Sequence, residues 1–234
     1  MLLEELNLLY KDHEVKNYTR YHKETYCDGE LDYFIGMNSA TIGTFAEKSY
    51  KNIDNGELIK LLQHQIHDYR SIALSIMLRQ MKKADSSKQK KLVELYLDNL
   101  DYVNNWDLVD ISAANILGRY LYSINDFNLL YELSLSTNLW YKRVAIVSTH
   151  YLILNNCLEV TLDIVDNLIK DKHDLIHKAC GWMLRELGKK NQETLNEYLE
   201  VNYQIIPRTM LRYAIEKHPE DIRKRILKGD FLWR

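Results

Sequence analysis

Leu175-Ile176-His177-Lys178-Ala179-Cys180-Gly181-Trp182 is one of five versions of a single pattern that recurs along this chain. The others are His67-Asp68-Tyr69-Arg70-Ser71-Ile72-Ala73, Asn105-Trp106-Asp107-Leu108-Val109-Asp110-Ile111-Ser112-Ala113, Trp140-Tyr141-Lys142-Arg143-Val144-Ala145-Ile146 and Met210-Leu211-Arg212-Tyr213-Ala214-Ile215. Aligned on the small residue that follows, Arg70, Asp110, Arg143, Lys178 and Arg212 fall in one slot, at steps of 40, 33, 35 and 34 residues. A period near 35 residues in a helical chain is the signature of stacked helical hairpins. In such a stack one helix of each pair lines a concave surface, so a slot repeated in sequence becomes a row of side chains in space. The expectation is therefore four cations and one carboxylate facing a groove.

Composition agrees with helix throughout. Of 234 residues, 8 are Gly and 2 are Pro, and neither type occurs between Glu57 and Leu117, which leaves little material for sheet turns or linkers. With 46% hydrophobic residues the chain can bury a sizeable core. One domain spanning residues 1–234 is expected, because no polar joint is long enough to mark a second. Nothing is apolar for long enough to cross a membrane, and Glu4 and Glu5 break the only apolar run at the start, so a cytoplasmic protein is expected. Cys27, Cys157 and Cys180 have no short pair spacing, which implies neither a disulfide framework nor a zinc knuckle.

Met1 to about Lys23 reads as an amphipathic helix with Leu2, Leu3, Leu6, Leu9 and Tyr10 at helical spacing. Residues 26–37 break the helical pattern, and Asp28-Gly29 between apolar flanks reads as a small β-hairpin or an extended loop. Beyond it, helix pairs are predicted at about 39–63, 66–100, 105–136, 138–171, 173–203 and 206–228. Polar joints at Asp54-Asn55-Gly56, Asn125-Asp126 and Asn155-Asn156 separate elements. Asp85-Ser86-Ser87, flanked by Lys82, Lys83, Lys88, Lys90 and Lys91, reads as a connection followed by a capped helix start. A basic run of that kind is ordinarily a solvated loop.

The formal charge of −2 does not suit a protein that coats nucleic acid indiscriminately. Its distribution is uneven: residues 203–234 hold eight Lys or Arg, Arg208 and Arg212 among them, against four acids. His173 and His177 stand at i, i+4, as zinc ligands on a helix would, but Asp174 replaces the acid of the metalloprotease motif and no third ligand is evident. No Gly-rich phosphate loop, nucleophile elbow or dinucleotide fingerprint occurs, so chemistry that needs those devices is set aside.

The strings Asn105-Trp106-Asp107-Leu108-Val109-Asp110, Leu139-Trp140-Tyr141-Lys142-Arg143-Val144-Ala145-Ile146 and His177-Lys178-Ala179-Cys180-Gly181-Trp182-Met183-Leu184-Arg185-Glu186 resemble the AlkD-type DNA alkylation repair glycosylases, as does the Phe34-Ile35-Gly36 turn. The resemblance runs from about Tyr33 to Glu216. It implies an all-α, HEAT-like helical-repeat solenoid whose concave face binds double-stranded DNA. It implies hydrolysis of the N-glycosidic bond of N3- and N7-alkylated purines, with no metal and no organic cofactor; a monomer is expected. Carried over residue by residue, the catalytic carboxylate falls on Asp110 and the sugar-contacting tryptophans on Trp106 and Trp182. The backbone-binding arginine falls on Arg143 and a further cleft arginine on Arg185; Arg70, Lys178, Arg208 and Arg212 would complete the DNA contacts.

The residue types suit that chemistry. An alkylated purine is a cationic leaving group, so positive charge builds on the deoxyribose as the bond breaks, and a carboxylate can stabilise it while orienting water. Indole faces can hold the electron-poor sugar and base. Each residue also has a plainer reading: the tryptophans as core, Asp110 as the partner of Arg143 or Lys142, and Arg143 and Arg185 as partners of Glu186 or Asp107 between repeats. The acidic segment Tyr26-Cys27-Asp28-Gly29-Glu30-Leu31-Asp32 stands where active members present a basic, aromatic helix. Relatives with a hairpin there bind branched DNA without evident base excision, which gives the alternative function: a catalytically silent binder of branched or distorted DNA, with 26–33 as a wedge. A HEAT-type protein-binding scaffold is a third reading, which the charged slot disfavours.

Overall fold

The computed structural model describes residues 1–11 and 33–231. The expected hairpin or loop at 26–32, Cys27, and the expected first helix beyond Lys11 lie outside the described residues. Within them, α1 covers Leu2–Leu9 and closes at Tyr10.

Six helix pairs follow at the predicted places. They are α2 (Ser39–Ser49) with α3 (Asn55–Leu62), α4 (His67–Lys83) with α5 (Ser86–Asp98), and α6 (Trp106–Ala113) with α7 (Arg119–Ile124) and α8 (Asn128–Ser134). Then come α9 (Leu139–Leu154) with α10 (Glu159–Leu168), α11 (Asp174–Lys190) with α12 (Gln192–Asn202), and α13 (Arg208–Ala214) with α14 (Glu220–Ile226). The chain is an all-helical repeat protein; among the described residues the one β-type pairing is a parallel bridge of Tyr33 with Ile66.

Side chains at the joints start the helices. Asn38, Asp54, Asp85, Asn138 and Asn191 each accept an amide proton from the first turn that follows, so a donor the helix itself cannot satisfy is satisfied locally. Asp85 does this from the Lys88 amide at 2.9 Å, the capped start expected there. Asn125 (φ 51°) and Asn156 (φ 63°) adopt the left-handed conformation that ends α7 and turns the chain after α9.

The described chain divides into two compact units, Met1–Ile116 and Leu117–Arg234, and the division falls inside a π-helical turn at Ala114–Gly118. In the first unit α4 is the central rod. It is buried on nearly every side (Tyr69, Ile72, Leu74, Ile76, Met77 and Met81 among others) and packs against α2, α3, α5 and α6. In the second, α9, α11 and α13 pack in sequence, with α8 and α10 against α9 and α10 and α12 against α11. Two glycines set how closely these helices approach. A Cβ on Gly118 would lie 2.1 Å from the Ser148 carbonyl oxygen, and one on Gly181 would lie 2.5 Å from both the Met210 oxygen and the Tyr213 Cβ.

Gly181→Ala should therefore overpack the α11–α13 contact and cost about 1–3 kcal/mol in urea unfolding. Gly43→Ala is the control. Its Cβ meets only the Arg79 Nη2 at 3.7 Å, so the better helix former should stabilise α2 by about 0.5–1 kcal/mol.

Candidate nucleic-acid interface

In the first unit the chemistry-bearing residues gather at the start of α6. Asn105 is buried, and its Oδ1 accepts the Trp106 amide at 2.8 Å. Asp107 uses Oδ1 to accept the Leu108 amide at 2.9 Å and Oδ2 to meet His67 Nε2 at 2.7 Å. His67 is 3% exposed and lies against the Phe34 ring, centroids 4.4 Å apart. One turn further along α6, Ser112 Oγ meets the buried Tyr96 hydroxyl at 3.0 Å and donates to the Leu108 carbonyl at 2.6 Å. The helix is thus fixed at both ends to α4 and α5. Asp107 takes part in that fixation; Trp106 and Asp110, four residues apart on one face, are, like Asp107, partly exposed.

The Phe34-Ile35-Gly36 turn is built around the neighbouring acid of α4. Asp68, 3% exposed, accepts the amides of Ile35 (2.8 Å), Gly36 (3.5 Å) and Met37 (2.6 Å), while the His67 amide donates to the Tyr33 carbonyl at 2.8 Å. Successive amides can aim at one carboxylate only if the backbone turns sharply, and Gly36 supplies that turn with φ 86°. Sequence reading did not single out Asp68 or the His67–Asp107 pair. Their signal was present in the first repeat, where His67 and Asp68 precede Arg70 by three and two residues.

The repeated slot holds several environments instead of a uniform row of exposed cations. Arg70 is 4% exposed; its Nη1 donates to the carbonyls of His64 (2.7 Å) and Gln65 (3.3 Å) and its Nη2 to Asn104 Oδ1 (3.2 Å). Arg143 is 5% exposed, with Nη1 donating to the Leu175 carbonyl at 2.6 Å. The carbonyls that Arg70 meets follow the C-terminal end of α3, where acceptors lack helical partners, whereas Arg143 adds a second donor to a carbonyl in the first turn of α11; in both a guanidinium that folds inward supplies several donors at once. Lys178 is paired with Asp174 on the same helix at 2.6 Å. Arg212 is exposed, as is Arg208 one turn before it on α13, and neither makes an ion pair among the described residues.

Trp182 is partly exposed, one turn from Lys178, with its indole 5.8 Å from the His150 ring. Arg185 lies beside Glu186 (Nε to Oε1, 3.4 Å) and bonds through Nη1 to Glu216, while Lys189 closes on Glu186 at 2.6 Å. Burial alone would raise the Glu186 carboxyl, but the Lys189 hydrogen bond and the charges of Lys189 and Arg185 hold it below its ordinary value. Asp171 behaves alike: burial pushes it up, and the Lys142 ammonium (2.5 Å) and the His173 amide (2.7 Å) hold it down. The histidine pair is engaged in the same junction, with His173 Nδ1 accepting the Leu175 amide and His177 Nε2 on the Asp171 carbonyl at 2.6 Å.

A family model described as DNA alkylation repair enzyme matches residues 2–218. The chain belongs to the DNA alkylation repair enzyme family. A solved structure described as a predicted DNA alkylation repair enzyme from Enterococcus faecalis has a TM-score of 0.63 with this chain at 16% identity, covering 88% of this chain and 97% of that one. At that identity the likeness shows a shared fold. No curated protein matches. Among the described residues no helix is long and apolar enough to cross a membrane.

Desolvation lowers His64, His150, His173 and His218 below the usual 6.5, so the folded chain disfavours their charged forms. The unfolded chain binds protons at these sites more readily. Stability is therefore complete above about pH 6.5 and declines as pH falls through that value toward the depressed folded ones. The melting midpoint should drop between pH 7.5 and pH 5, and His150→Gln should make that slope shallower. Asp171 and Glu186 add a second loss at lower pH, because their folded values are depressed and their stabilisation disappears once they are protonated.

Proposed function

We propose that this protein excises N3- and N7-alkylated purines from double-stranded DNA, with Asp110 as the carboxylate that faces the reacting sugar. The observation that supports this reading is the placement of Asp110 one turn from the partly exposed Trp106, on a helix that the His67–Asp107 and Tyr96–Ser112 contacts hold still. As the bond from C1′ to the alkylated purine lengthens, the base leaves with the bonding electrons and becomes neutral, and the deoxyribose acquires positive charge. Asp110 stabilises that charge and orients a water whose oxygen bonds to C1′ and whose proton passes to solvent. Trp106 holds the electron-poor sugar by its π face.

The DNA contacts are reassigned among the cations. Arg208 and Arg212 are the exposed, unpaired guanidiniums of α13 and take phosphate oxygens. Lys178 and Arg185 contribute once DNA competes with Asp174 and Glu216, and Trp182 supplies an apolar contact. Arg70 and Arg143 brace the helix junctions from which these residues project.

Wild-type protein should release 7-methylguanine or 3-methyladenine from alkylated duplex, and Asp110→Asn should bind that duplex normally but release base on the order of a hundredfold more slowly. Arg212→Ala should keep excision at low salt and reduce the slope of log affinity against log salt by about 1. A second reading, a silent binder of branched or distorted DNA, is favoured by how few cations are left unpaired for duplex phosphates. A folded wild type that releases no base and prefers a junction to duplex would select it.

A further inference from the structure

The basic run around Asp85 is solvent-exposed, and part of it borders a cavity. In the first unit, the ends of α2 and α4 and the starts of α3 and α5 surround a cavity of about 440 Å³. Its floor is apolar, from Ile53, Leu92 and Leu95, and its rim carries the ammonium groups of Lys51, Lys88 and Lys91. None of these three lysines makes an ion pair among the described residues. Asp85, the carboxylate on the wall, is already committed to the Lys88 amide, and Asp54 accepts the Glu57 amide at 2.8 Å in the same way. Each cap takes up one amide of its helix start, and the charged groups offered to a ligand here are side chains. Lys83, close by, donates to the Tyr50 hydroxyl at 2.6 Å and lies 4.9 Å from its ring centre, which fixes one more positive charge at this end of the unit.

This arrangement works against the fold that carries it. The first turns of a helix favour acids, because the macrodipole places positive charge there, yet α5 opens with Lys88, Lys90 and Lys91 and no acid in its first turn. Lys90 finds Glu94 at 3.9 Å, but Lys88 and Lys91 stand three residues apart and repel. Such a cluster is relieved when a dianion sits among its members.

We infer that this cavity is a binding site for a nucleoside monophosphate, either free or at the end of a nucleic-acid strand. The phosphate sits among Lys51, Lys88 and Lys91, where ammonium groups meet its oxygens as charge-assisted donors. The base lies on the Ile53–Leu92–Leu95 floor, with Ser87 and Asn55 placed for its polar edge. The volume suits one nucleotide and matches the usual size of small-ligand sites. The inference stands apart from base excision, since it uses none of the residues assigned to that reaction.

The test is isothermal titration calorimetry of the full chain with dAMP, with deoxyadenosine, and with a short single strand bearing or lacking a 5′-phosphate. Lys88→Glu/Lys91→Gln is run in parallel. Glutamate at residue 88 restores the acid that the start of α5 favours, so this variant should fold with an unchanged or higher melting midpoint. dAMP should bind wild type and deoxyadenosine should not, and the double variant should weaken dAMP by about tenfold or more. Tighter binding of the 5′-phosphorylated strand than of dAMP would identify a strand end as the source, and binding of dAMP alone would identify the free nucleotide. No saturable dAMP binding, equal binding of deoxyadenosine, or undiminished binding in the variant would overturn the proposal.

Discussion

The hydrogen bond between His67 Nε2 and Asp107 holds the candidate chemistry in place. α6 is short, and an isolated helix of its length would not persist in water. It persists because a buried imidazole on the central rod α4 grips its first turn, while Tyr96 and Ser112 secure its far end. The residue next to that imidazole, Asp68, gathers the amides of Ile35, Gly36 and Met37. Two consecutive residues of α4 thus position both the turn at 33–37 and the helix that bears Trp106 and Asp110. A buried carboxylate that lost its donors, or an imidazole that lost its acceptor, would bear the desolvation cost alone, so the two contacts are retained or lost together with the local fold.

The same economy governs the repeat. Long side chains of the inner helices close the junctions between helix pairs. Arg70 reaches back to the carbonyls of His64 and Gln65, and Arg143 reaches forward to that of Leu175 at the start of α11. In the second unit Lys142, Asp171, His173 and His177 form a further knot of the same kind. On α13 the cations Arg208 and Arg212 remain outward, without an ion pair among the described residues. Charge that could meet DNA is therefore a by-product of position in the repeat as much as of residue type.

Most of the fold could be read in the residues themselves. The 35-residue period, the absence of Gly and Pro from 57 to 117 and the polar caps placed every helix pair within a few residues, because caps and periodicity are local signals. Burial of Arg70 and Arg143 was not legible, since a flexible side chain at a given register can extend into solvent or fold inward onto a backbone carbonyl, near in sequence for Arg70 and 32 residues on for Arg143. The pairing of Arg185 with Glu216 is hidden for the same reason, although its contact with Glu186 was an open reading. Asp107 and Asp110 lie on adjacent turns of one helix, and the repeat slot singles out Asp110; the contact of Asp107 with His67, 40 residues earlier, is tertiary and had no such signal.

Family membership establishes a DNA alkylation repair lineage; the proposal adds Asp110 as the acid that faces the sugar. The most direct measurement compares Asp107→Asn with Asp110→Asn in one experiment that records melting midpoint and rate of base release from duplex containing 7-methylguanine. The account predicts that Asp107→Asn lowers the midpoint and retains most of the rate below it, whereas Asp110→Asn abolishes release from a protein that is still folded at the assay temperature. Loss of release in Asp107→Asn at full stability, with Asp110→Asn still active, would contradict it.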